Sequence, residues 1–189
     1  LKAIAKGHKA DYKKIFELPY DSFEEIIIKG AAVGFADVPL CEKEPYIIRY
    51  AEMIDNWAEC DCFCSCIKVK KSEADDLLRL AEGLMYRKEE FVSRVGTVLM
   101  FSKFSDEPTV RKALTIYDRL PGGEYYRDMA VAWGISVYCV RYPQLIVKYL
   151  EHSPISIAVK LAAAQKIRDS RRISDGVKHR VTDTVNAQR

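Results

Sequence analysis

Trp57 and Asp61 stand four residues apart, which in a helix sets an indole and a carboxylate one turn from each other on a single face. Asp61 falls inside a stripe made by Trp57, Cys60, Cys64 and the stem of Lys68, not opposite it. A carboxylate on a packed face is costly unless it is paired or the face is an open cleft. Arg94 follows Trp57 by 37 residues and Trp133 follows Arg94 by 39. Two indoles, a carboxylate and a guanidinium on one surface have a chemistry in common. The carboxylate stabilises a developing cation or deprotonates a water, indole faces accept cationic character, and a guanidinium holds a phosphate bidentately. Each residue also has a plainer reading. Trp133 shares a stripe with Met129 and Val137 and, taken alone, reads as core, as does Trp57. Arg94 reads as a surface residue or as a structural partner of Asp61.

The elements that must position these residues read as helices throughout. Apolar residues recur at spacings of three and four. Residues 21–35 open at Asp21 as cap with Glu24 three residues on, and 55–68 run from Asp55 to Lys68. Residues 73–85, 89–103, 124–141 and 156–171 complete the longer segments. Val92–Phe101 and Val131–Val140 are rich in β-branched and aromatic residues, yet their length and spacing favour helix. Breaks fall at Leu18-Pro19, Val38-Pro39, Pro121-Gly122-Gly123, Tyr142-Pro143 and Ser153-Pro154. Four longer helices are expected to begin near residues 55, 89, 124 and 156, at separations of 34, 35 and 32. A recurrence of that size marks helical-pair repeats of the HEAT or armadillo kind; the TPR consensus is absent. The expected fold is therefore all-α, with HEAT-like repeats stacked into a curved solenoid whose concave face binds an extended partner. On that reading Trp57 and Asp61, Arg94, and Trp133 lie at similar heights on three neighbouring helices.

The 189 residues suit one domain, expected over 1–172, with a polar tail over 173–189 that frays. No apolar run approaches the ~18 residues of a membrane span, and no signal-peptide pattern is present, so the expected location is cytoplasmic. The chain does not begin with Met, and Leu1–Lys6 reads as the end of a helix, as though an N-terminal helix were missing. Net charge is +3, but from Glu151 onward eight Lys/Arg face four acids. A basic end on a near-neutral body suits an anionic partner, or is simply a solvated helix face. Four of the six cysteines crowd into Cys60-Asp61-Cys62-Phe63-Cys64-Ser65-Cys66. Alternate positions on a helix point ~200° apart, so the four cannot hold one ion together. Cys60/Cys64 and Cys62/Cys66 could each supply two ligands, but no histidine is near, and buried thiols in a reducing compartment are favoured over a metal site.

The stretch Ile54-Asp55-Asn56-Trp57-Ala58-Glu59-Cys60-Asp61-Cys62-Phe63-Cys64-Ser65 resembles the central motif of the DNA alkylation repair (AlkD-like) glycosylases. Phe91-Val92-Ser93-Arg94, Tyr125-Tyr126-Arg127-Asp128-Met129-Ala130-Val131-Ala132-Trp133 and Ala163-Ala164-Gln165-Lys166-Ile167-Arg168 match further motifs in the family's order and spacing, over roughly residues 1–172. The resemblance implies a HEAT-like solenoid that removes 3-methyladenine and 7-methylguanine from double-stranded DNA, without cofactor, metal, membrane or obligate protein partner. It implies that Asp61 is the catalytic carboxylate, that Trp57 and Trp133 cradle the lesion nucleotide, and that Arg94 stands beside them. The family does not require the damaged base to be flipped into a pocket. A purine alkylated at N3 or N7 is already cationic, so little general acid is needed, and the sugar develops oxocarbenium character. Lys68, Lys103, Lys160, Lys166, Arg168, Arg171 and Arg172 are the expected contacts to the DNA backbone. The family's first helix, which carries an aromatic toward the lesion, has no counterpart in this chain. The cysteine-rich motif is not universal in the family, and some relatives keep the fold without the catalytic residues. The alternative is a non-catalytic HEAT-like module that binds DNA structures or a protein.

Overall fold

A computed structural model describes residues 1–188. Among them the regular structure is entirely helical. The helices are α1 (Lys2–Gly7), α2 (Tyr12–Glu17), α3 (Phe23–Phe35), α4 (Leu40–Met53), α5 (Trp57–Cys66), α6 (Ala74–Met85), α7 (Glu90–Lys103), α8 (Glu107–Tyr117), α9 (Tyr125–Arg141), α10 (Pro143–His152), α11 (Ile157–Asp169) and α12 (Asp175–Asn186). Two single 3-10 turns, Lys9–Asp11 and Lys71–Glu73, complete the set. The two β-branched stretches lie in α7 and α9, as their length required. The Pro and Gly breaks all fall between helices or, at Pro143, on a first helical position, where a missing N–H costs nothing. No helix among the described residues is long and apolar enough to cross a membrane.

The recurrence is more extensive than the four longer segments suggested. Helices α3, α5, α7, α9 and α11 begin at residues 23, 57, 90, 125 and 157, at intervals of 34, 33, 35 and 32. The alternate helices α4, α6, α8, α10 and α12 begin at 40, 74, 107, 143 and 175, at intervals of 34, 33, 36 and 32.

The chain forms two compact units, Leu1–Ser102 and a second that begins at Lys103. In the first, α3 packs on α1, α2, α4 and α5, and α4 packs on α6. Helix α3 starts one residue later than its sequence suggested. Ser22, not Asp21, is the cap: its Oγ accepts from Glu25 N at 3.3 Å, and the Glu25 carboxylate accepts from Ser22 N at 3.1 Å and from Asp21 N at 2.8 Å. Small residues let the helices approach. A Cβ on Gly34 would stand 2.8 Å from the Cys66 backbone carbon and Cβ, so α3 and α5 meet almost backbone to backbone. Ala5, Ala31, Phe35 and Cys66 form a buried cluster there, flanked by Ile28 and Cys62. Buried lysines close the exposed carbonyls of helix ends: Lys29 Nζ donates to Phe16 O at 2.7 Å and to Leu18 O.

In the second unit α9 packs on α8, α10 and α11, and α12 packs on α10 and α11. Asp106 caps α8 by accepting from Thr109 N at 3.0 Å, and Ser156 caps α11 by accepting from Val159 N at 3.3 Å. The segment expected to fray from residue 173 is instead helical over Asp175–Asn186. Val177, Val181 and Val185, spaced by four, bury one stripe, and His179, Arg180 and Asp183 between them are exposed.

Gly34→Ala is expected to destabilise, because the clash falls on backbone and outweighs the higher helix propensity of alanine. A fall in melting temperature of roughly 5 °C in a thermal unfolding scan is the expected result; an unchanged value would show that α3 and α5 can part without cost.

Candidate functional site

Helix α5 is set by its cap, Asn56, the residue before its first turn. Asn56 Oδ1 accepts from Ala58 N at 3.0 Å and from Glu59 N at 3.1 Å, satisfying two of the orphan donors of the first turn. The helix therefore begins at Trp57, two residues later than the expected start at Asp55. Trp57 is not core: 56 % of it is exposed. The alternating cysteines divide between two sides of the helix. Cys66 and Cys62 join the cluster against α1 and α3. Cys64, buried, donates through Sγ to Val95 O of α7 at 3.7 Å. The Cys62 thiol is pushed up, first by its hydrogen bond with Cys66 and then by burial, and stays neutral.

Asp61 lies one turn beyond Trp57 and three residues before Cys64, so the α5–α7 contact that buries Cys64 also presents Asp61 to Arg94. Arg94 Nη2 donates to Asp61 Oδ1 at 2.9 Å and to Oδ2 at 3.0 Å. The side chain of Arg94 is 6 % exposed and that of Asp61 21 %. Arg94 is thus no surface residue. It sits in a helix whose residues 92–101 are all buried, and its guanidinium is directed to the carboxylate and not to solvent. The Asp61 side chain is partly exposed, one helical turn from the exposed indole. Chemically, this is a partly exposed anion fixed through both oxygens by one guanidinium.

Glu59, two residues before Asp61, lies on the other side of α5. It is buried, its Oε2 has no hydrogen-bond partner, and burial pushes its carboxyl above the ordinary range, only partly offset by hydrogen bonding from Asn56. Asn56 and Glu59 are the residues that sequence reasoning missed. An Asn immediately before the first residue of the Trp57 turn was the available signal for the cap; nothing local to Glu59 marks it as buried.

The first unit thus brings together Trp57, Asp61 and Arg94. Trp133 belongs to α9 of the second unit, where it is half-buried, as are Met129 and Val137. The buried face of α9 runs instead through Ala130, Val131, Gly134, Ile135 and Tyr138. The stripe that, taken alone, reads as core is the partly exposed one.

The expected DNA-backbone residues separate by environment. Lys68 is exposed, with Nζ 5.6 Å from the Phe35 ring centroid. Lys103 and Lys166 are half-buried. Arg168, Arg171 and Arg172 are exposed; Arg168 donates to Gln165, and the other two lie beyond the end of α11. Lys160 departs from expectation. It is 5 % exposed and donates to Gln188 Oε1 at 2.5 Å, so it serves the contact of α11 with the chain's last turn and does not present a charge to solvent. No family profile, curated protein or solved structure matches this chain.

Arg94→Ala is expected to cost about 3 kcal/mol, because it leaves a partly buried carboxylate without its cation, whereas Lys68→Ala stays within about 0.5 kcal/mol. Urea unfolding midpoints of the two variants check this; equal losses would remove the pair from the stability of the unit. Glu59 supplies a second test. Its folded form favours the proton, so stability falls as pH rises from the ordinary glutamate range, about 4.3, through the raised folded value. Glu59→Gln is therefore expected to gain about 1 kcal/mol over the parent at pH 8 and nothing at pH 4. A gain of equal size at both pH values would show that Glu59 folds with ordinary acidity.

Proposed function

We propose that this chain is a DNA repair glycosylase that hydrolyses the N-glycosidic bond of cationic N3- or N7-alkylated purines in double-stranded DNA, in the cytoplasm. Its helices would form HEAT-like repeats in a curved solenoid, a reading supported by two interleaved series of helix starts, each repeating at 32–36 residues. The observation that carries the function is the Asp61 carboxylate, held through both oxygens by buried Arg94 and one turn from a water-facing indole.

The reaction needs little more. In an alkylated purine the C1′–N9 bond already links the sugar to a cationic base. As it breaks, the electron pair leaves with N9, the base departs neutral, and C1′ takes on oxocarbenium character. Asp61 stabilises that cation and accepts the proton of the water that adds to C1′, leaving an abasic site. Arg94 is a positioning residue. It fixes both carboxylate oxygens, which keeps Asp61 from turning away. Trp57 offers an apolar face to the deoxyribose. The resemblance gives Trp133 the same task. Lys68, Arg168, Arg171 and Arg172 are the exposed cations available for backbone contacts, which carry no sequence preference.

One observation favours a second reading, a non-catalytic module that binds DNA structures or a protein. The same Arg94–Asp61 pair is also a sound static link between α5 and α7. The two readings part in a base-release assay. The protein is expected to liberate 7-methylguanine from methylated duplex DNA, and Asp61→Asn to reduce the rate by about a hundredfold or more. Equal rates for parent and variant would sink the role of Asp61. No release by the parent, together with salt-sensitive DNA binding, would establish the module instead.

A further inference from the structure

A cavity of about 510 Å3 opens in the first unit, where the end of α1, the end of α3 and the segment after α5 converge. Its floor is Lys43 of α4, only 1 % exposed, whose Nζ donates to Ala36 O at 3.0 Å and to Lys68 O. Around it stand four exposed lysines from two segments of the chain, Lys6 and Lys9 from one and Lys68 and Lys70 from the other. Phe35 forms a wall, with Lys6 Nζ 5.3 Å and Lys68 Nζ 5.6 Å from its ring centroid.

The acids in the cavity do not balance these cations. Glu73 spends both oxygens on backbone: Oε1 accepts from Leu40 N at 2.7 Å and Oε2 from Lys70 N at 3.0 Å. Those two donors, and then the charges of Lys70 and Lys43, hold its carboxyl below the ordinary range, which leaves Lys6, Lys9 and Lys68 in excess. Asp37 is the other acid in the lining. Among the described residues, Lys6, Lys9 and Lys68 form no ion pair. Gathering like charges on a concave surface raises their mutual repulsion, and the ring face of Phe35 offsets only part of it. A multiply charged anion would relieve the rest.

We propose that this cavity binds a terminal phosphate group, either of a free phosphate or pyrophosphate anion or at the 5′ end of a nucleic-acid strand. A terminal phosphate carries nearly two negative charges and three acceptor oxygens on a compact head that can enter a concavity. An internal diester carries one charge and must pass by on both sides. Lysine ammonium groups, each a point charge with three rotatable donors, suit a tetrahedral anion approached from several directions. The site stands apart from Asp61 chemistry, and base release plays no part in its test.

Titration calorimetry of the full chain with inorganic pyrophosphate at low ionic strength is expected to give one site per chain. Lys6→Gln and Lys68→Gln, both at exposed positions, should each weaken it about five- to tenfold, and Lys148→Gln, an exposed lysine of α10, should not. A second arm identifies the source. If a duplex with a 5′-phosphate binds more tightly than its 5′-hydroxyl counterpart, and pyrophosphate displaces it, the strand end is the ligand. If pyrophosphate binds and the two duplexes do not differ, the free anion is the ligand. The proposal is overturned if pyrophosphate gives no binding at millimolar concentration, or if the Lys6 and Lys68 variants, folded by circular dichroism, bind as the parent does.

Discussion

A guanidinium inside a helix that is buried on every side has to find an anion, and Arg94 finds Asp61. That requirement sets the rotation of α5. With Asp61 turned toward α7, Cys64 is carried into the same interface, where its thiol meets Val95 O. Cys62 and Cys66 are carried to the opposite side, against α1 and α3. Trp57, a turn earlier at the capped end, is left facing water. A different rotation would bury the indole, expose a thiol and leave the guanidinium without its carboxylate. The arrangement read as a reaction site is thus the same arrangement that docks two helices.

The cysteine run is legible in these terms as a packing device. Thiols are small and tolerate complete burial, so α5 can lie between two neighbours where Leu or Phe would hold them apart. Gly34 does the same for the facing helix, where even a methyl group would meet the backbone of Cys66. Close approach of this kind leaves little room to repack. It holds a lone carboxylate in one orientation, which a reaction relying on a single anion needs.

The lysines follow two different physical rules. Lys29, Lys43 and Lys160 are buried and use their ammonium groups as hydrogen-bond donors, the first two to main-chain carbonyls and the third to a side-chain amide. Burial lowers the pKa of all three. Lys6, Lys9, Lys68 and Lys70 stay in water and accumulate around one concavity. Composition treats the two groups as equal charges. The second group keeps its donors free for an anionic partner, whereas the first has already committed them within the fold.

Much of the fold is written in local pattern. Apolar spacing of three and four, prolines and glycines at the breaks, and a recurrence near 34 residues determine an all-helical chain, and they place α5, α6, α7, α9 and α11 within two residues of their starts. These features depend only on a residue and its near neighbours. The pairing of Asp61 with Arg94 was also within reach, because an anion and a cation one repeat apart are natural partners. Which face of each helix is buried was not. The Met129–Trp133–Val137 stripe reads as core and is the half-exposed side of α9, while α12 reads as a polar tail and buries three valines. Lys160 reads as a surface cation and lies inside. Burial is a property of what packs against a face, and that neighbour is distant in the chain. Periodicity therefore determines that a helix has a buried side, and tertiary contacts alone decide which residues occupy it.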